Sequence, residues 1–154
     1  MRDKVVVVTG GFGVLGQAVA EAALAAEAYV AIPSREQESK IPVRDRLLVL
    51  GGVDLTDFAA VKQAFDTVAT RYGKIDGLAN VAGGFRWQTL GDGELAGWTD
   101  QFRMNLLTAA TATKAALPYL RARRAPSSMW RRLPQKRPAR EWALMRHPRP
   151  ACCG

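Results

Sequence analysis

A doubly wound α/β fold, in which helices cover both faces of a parallel sheet, is the architecture this chain predicts. Three features point to it. Short apolar runs rich in β-branched residues alternate with longer stretches that are apolar at helical spacing, and a glycine-rich turn joins the first run to the first stretch. Alternating strands and helices imply right-handed crossovers between parallel strands.

Val5 to Val8 is too short for a helix and apolar at every position, as a strand buried on both faces should be. From Leu15 to Ala28 the chain is alanine-rich, with Leu15, Val19, Ala22/Ala23 and Ala26 at helical spacing, and Tyr29 to Ile32 returns to strand. Leu47 to Leu50 forms a third strand. A helix from about Asp57 to Tyr72 follows, apolar at Phe58, Val61, Ala64/Phe65 and Val68, and Gly77 to Val81 is the fourth strand. A long helix from about Glu94 to Arg123 carries Trp98, Phe102, Leu106 and Ala109/Ala110 on one stripe. After it neither period persists, and Pro126, Pro134, Pro138, Pro148 and Pro150 would break any element laid across them.

At 154 residues one domain is expected. No run of 18 apolar residues and no export signal is present, so a cytoplasmic setting without membrane contact is expected. Cys152 and Cys153 are adjacent, without the second pair or histidine spacing of a zinc site, so no metal is expected. The net charge of +8 is unevenly spread: residues 1–120 hold 12 Lys/Arg against 13 Asp/Glu, whereas residues 121–154 hold 10 Lys/Arg and only Glu141. The chain thus divides into an ordered part, residues 1–123, and a basic, proline-rich tail, residues 124–154. Nucleic acid is a disfavoured partner, since the tail has no periodic basic face.

In TGGFGVLG the glycines Gly10, Gly13 and Gly16 fall three apart, after a strand and opening a helix. The first permits a tight turn, the second lets backbone approach a pyrophosphate, and the third lets helix and strand pack closely; the helix N-terminus adds unpaired N–H groups. This is a Rossmann-type phosphate turn. With it the sequence resembles the short-chain dehydrogenase/reductase family over residues 4 to about 122. DLTD at Asp54 to Asp57, NVAGG at Asn80 to Gly84 and FRMNLLTA around Asn105 follow in family order and spacing.

The resemblance implies an NAD(P)-dependent oxidoreductase that moves hydride between cofactor and a small carbonyl or alcohol substrate, and self-association in the intact protein. It implies cofactor contacts from Thr9, Gly10, Gly11, Phe12, Gly13, Leu15 and Gly16, from Ser34 and Arg35, from Asp54 and Leu55 at the adenine, and from Asn80, Ala82 and Gly83. Asn105 takes the place of the helical catalytic asparagine. The chain departs from the commonest pattern in its glycine spacing and in having Val81 where the family has a second asparagine. The second strand ends AIPSRE; an acidic residue at the strand end would take the ribose 2′-hydroxyl, whereas Arg35 can pair with a 2′-phosphate, so NADP(H) is expected over NAD(H).

The family's acid is a tyrosine with a lysine four residues on, which lowers a pKa otherwise near 10. Tyr29, Tyr72 and Tyr119 are followed at that spacing by Pro33, Asp76 and Arg123, and no catalytic serine is placed by pattern. The chain is therefore expected to be inactive, with Asn105 the one tetrad member present. Shifting the reading frame of residues 127–149 by one base permits an Ile-Val-Asn-Val run and a Tyr-x-x-x-Lys motif, with the tyrosine codon 40 positions after Asn105. A frameshifted tail on a gene whose intact form is a complete reductase accounts for both. The alternative classes are a dinucleotide-binding module without catalysis and a nucleic-acid-binding protein acting through the tail.

Overall fold

The computed structural model describes residues 1–36 and 45–122. The elements are β1 (Val5–Thr9), α1 (Val14–Ala25), β2 (Tyr29–Pro33), β3 (Leu47–Leu50), α2 (Phe58–Tyr72), β4 (Gly77–Asn80), α3 (Leu95–Phe102) and α4 (Thr108–Ala122), with a π-helical turn, Arg103–Leu107, between the last two. All belong to one unit, Met1–Arg124. The tail, with the frameshift reading, the cysteines and His147, lies outside the described residues.

The sheet is parallel, in the order β3-β2-β1-β4. The unbroken valine run of β1 follows from its central place. Val5 and Val7 pack into the cluster under α2 and α4, with Val61, Phe65, Val68, Ala112 and Ala116, while Val6 and Val8 face the opposite way into a cluster with Ala20 and Ala23 of α1. Period-2 alternation thus sends neighbouring valines into two separate cores.

Helix α2 is bounded as its ends dictate. The Asp57 carboxylate accepts from the Ala59 N–H at the N-cap, Arg71 complements the dipole in the last turn, and Gly73 ends the helix at φ +73. Helix α1 is shorter than its alanine pattern suggests, because the chain turns at Ala26 and Glu27, and Ala28 is already buried beside β2.

The last helix differs more from expectation. It is not one regular helix: the Thr108 N–H bonds to the Arg103 carbonyl five residues back, which inserts a π turn. Nor is the predicted apolar stripe its buried face. Trp98, Phe102 and Leu106 are 45%, 55% and 56% exposed, and α4 instead buries Thr108, Thr111, Ala112, Ala115 and Ala116. Small residues lie closer to α2 and the sheet than large ones could. No helix among the described residues is long and apolar enough to cross a membrane.

Candidate functional site: a cleft at the carboxyl ends of the strands

The ends of β1, β2 and β4 and the segment after β3 converge on one cleft of about 540 Å³, closed on its far side by the π turn. Its floor is the β1–α1 turn. Gly10 sits at φ +67, where a Cβ would stand 2.7 Å from Ala82 backbone, and a Cβ on Gly16 would come 2.0 Å from the Gly10 carbonyl. The turn is therefore pressed between α1 and the segment after β4. At Gly13 a Cβ would meet only the Gly10 carbonyl, at 3.4 Å, so this side of the turn is open. Helix α1 begins there with no side-chain cap and no acidic residue in its first turn. Its first N–H groups lack intrahelical acceptors and carry the positive end of the dipole.

The segment after β4 is fastened at both ends. The buried Thr9 hydroxyl accepts from the N–H groups of Val81 (3.1 Å) and Ala82 (3.2 Å) and donates to the Ala79 carbonyl (3.4 Å). From the π turn, the Asn105 side chain accepts from the Gly84 N–H and donates to the Gly84 carbonyl, both at 2.9 Å. Val81 packs against the α1-side core, which an asparagine would not do without burying an amide. The Asn80 amide donates to the Thr113 hydroxyl at 3.0 Å, tying β4 to α4.

Along the cleft wall, the Ser34 hydroxyl accepts from the Glu36 N–H, and the Ser34 backbone bonds to Leu50 and Val53, joining the β2 end to β3. Arg35 and Glu36 line the cleft beside Asp54, Leu55 and Thr56. The Thr56 N–H (2.8 Å) and hydroxyl (2.9 Å) both donate to one oxygen of Asp54. These bonds, with the charges of Arg35 and Arg103, hold the Asp54 carboxyl below its usual range, so it is ionised at neutral pH.

Of the residues singled out from sequence, the structure brings Gly10, Gly11, Phe12, Gly13, Ser34, Arg35, Asp54, Leu55, Ala82 and Gly83 onto the cleft. Thr9, Leu15, Gly16, Asn80 and Asn105 do not line it: Thr9, Asn80 and Asn105 hold neighbouring segments, Gly16 permits helix packing, and the Leu15 side chain is 65% exposed. Arg86, in the loop after β4 that the sequence offers as a pocket wall, lines the cleft, and so do Asp100, Gln101, Arg103, Met104 and Thr108, which the sequence reading does not single out. The two that precede Asn105 in sequence, Arg103 and Met104, could have been found only by knowing that the helix is π-wound there. Phe85 and Trp87, beside Arg86, are 83% and 79% exposed.

None of the three tyrosines reaches the cleft. Tyr29 and Tyr72 stack with ring centroids 5.0 Å apart near Asp3 and Lys74, at the opposite ends of the strands. The Tyr119 hydroxyl donates to Asp66 on α2, and this bond, with burial and the carboxylate charge, pushes its pKa up to about 12.

The chain matches the family model for short chain dehydrogenases over residues 4–127. It is 32% identical over 126 residues to the ipsdienol dehydrogenase of Ips pini, covering 77% of this chain and 49% of that protein. It is 36% identical over 124 residues to a short chain dehydrogenase/reductase of Colletotrichum higginsianum, covering 76% and 46%. Among solved structures, a short-chain dehydrogenase from Streptomyces avermitilis superposes with a TM-score of 0.69 at 31% identity, over 79% of this chain and 46% of that one. The chain thus spans about half the length of the relatives it matches. Over that half the match in sequence and the match in fold coincide, and the chain belongs to the short chain dehydrogenase family.

Proposed function

We propose that residues 4–122 are the dinucleotide-binding half of an oxidoreductase that interconverts a carbonyl and an alcohol, and that the 154-residue chain binds NADP(H) without turning it over. The observation that carries this reading is the cleft itself: the open glycine turn at the uncapped start of α1 faces the same space as Arg35, Asp54, Leu55 and Gly83. A dinucleotide fits this donor set. The N–H groups of the turn and of the first turn of α1 take the pyrophosphate, Asp54 and Leu55 the adenine, Ser34 and Arg35 the adenosine ribose.

The bound nicotinamide would supply or accept the hydride. Arg35 favours a 2′-phosphate, while Glu36 on the same wall works against it, so the preference rests on the guanidinium pairing bidentately with the phosphate. Asn105 spends both ends of its amide on Gly84, which makes it a positioning residue for the segment after β4. Among the described residues no tyrosine is placed to pass a proton in the cleft, because Tyr29 and Tyr72 lie at the opposite ends of the strands and Tyr119 bonds to Asp66.

Calorimetric titration of the full chain with NADPH and NADH tests the reading. Saturable binding of one dinucleotide, tighter for NADPH, with no NADPH consumption against a panel of aldehydes and ketones, is expected. Absence of binding to either would remove it. The tyrosine placement also favours a second reading, a binding module that never had catalysis. Sequencing the gene beyond codon 115 separates the two: a continuous shifted frame encoding Tyr-x-x-x-Lys supports the enzyme, and closed frames support the module.

A further inference from the structure

We propose that Arg103 closes the adenine end of the cleft from the wall opposite Asp54 and Leu55, with its guanidinium plane laid against the face of the base. This rests on the dinucleotide reading above. The cleft has two walls of different origin, one built by the segments after β2 and β3 (Pro33 to Glu36, Val53 to Thr56) and the other by the π turn and the start of α4 (Arg103, Met104, Thr108). Arg103 is exposed, and none of the described residues is hydrogen-bonded to or ion-paired with its guanidinium. It lines the cleft together with Asp54 and Leu55, and its charge adds to those that hold the Asp54 carboxyl low.

The chemistry of the two walls suits a base. An adenine is attracted to both walls: its amino group donates to the carboxylate, and its π face accepts the flat, weakly hydrated guanidinium. The π turn makes the placement possible. The extra residue in the winding lets Asn105 reach Gly84 while Arg103, Met104 and Thr108 share the cleft wall.

Titration of the full chain and of Arg103→Ala and Arg103→Lys with NADPH, NADH and AMP tests the assignment. Arg103→Ala should weaken all three ligands by a similar factor, about three- to thirtyfold. Lysine, which keeps the charge but not the plane, should restore only part of it. Unchanged affinity in Arg103→Ala, full recovery in Arg103→Lys, or a loss confined to NADPH would each overturn the assignment, the last by placing Arg103 at the 2′-phosphate. A wild-type chain that binds none of the three ligands would overturn the dinucleotide reading and this inference together. A wild-type chain that binds them, with an indistinguishable Arg103→Ala, overturns this inference alone.

Discussion

Residues 4–80 and residues 85–107 are both rich in large apolar side chains, and the two regions treat them in opposite ways. In the first, Val5, Val7, Val8, Ile32, Phe65 and Ile75 are fully buried. In the second, Phe85, Trp87, Leu90 and Leu95 are each about 80% exposed, and Trp98, Phe102 and Leu106 are about half exposed. Helical periodicity is as clear in one as in the other. A periodic apolar stripe says that a face exists to be covered; what covers it is decided by neighbouring elements. The sheet and α1 and α2 cover the first region, whereas α4 turns its alanines and threonines inward and leaves the larger residues outside.

Substitutions should separate the two regions sharply. Phe65→Ala empties a site with no exposure in the α2–α4 core and should cost about 3–5 kcal/mol, enough to abolish cooperative unfolding or lower the denaturant midpoint steeply. Gly16→Ala sets a Cβ against the Gly10 carbonyl and should cost about 1–3 kcal/mol, with weakened dinucleotide binding because the phosphate turn must shift. Asp57→Ala removes the N-cap bond to Ala59 and should cost about 1 kcal/mol in urea unfolding, with binding retained. Phe102→Ala, by contrast, should change stability by less than about 0.5 kcal/mol. A loss at Phe102 comparable to that at Phe65 would mean that the outer face is covered in solution.

A pH-dependent effect is expected at the α2–α4 contact. The folded state raises the Tyr119 pKa to about 12, so the hydroxyl's bond to Asp66 contributes stability that is fully present below the unfolded tyrosine pKa of about 10 and is lost as pH rises through the folded value. The stability difference between wild type and Tyr119→Phe should hold constant up to about pH 10 and close between there and pH 12. A difference that widens over that interval would contradict the assigned bond.

How much of this was legible in the sequence depended on whether the cause was local. The strands were, to within a residue or so, because a valine run with no polar position has few other homes. So was the glycine turn, since Gly10 at φ +67 and Gly16 against the Gly10 carbonyl answer demands of the β1–α1 turn itself. Thr9 was assigned to the cofactor, yet its hydroxyl is spent on Val81 and Ala82, more than 70 residues away, a bond that no local pattern announces. Arg103 was invisible for a related reason. An extra residue in a helix shifts every later side chain, and the sequence has no composition that marks it. The Tyr119 reading needed Asp66 on another helix.

If one end of the sheet is a dinucleotide cradle, amide-resolved NMR of the labelled 154-residue chain titrated with NADPH will show it directly. Shifts should concentrate at Gly10, Gly11, Gly13, Leu15, Arg35, Leu55 and Gly83, with Asp3, Tyr29 and Tyr72 at the opposite ends of the strands unmoved. Shifts spread evenly over both ends, or none at saturating NADPH, would contradict it.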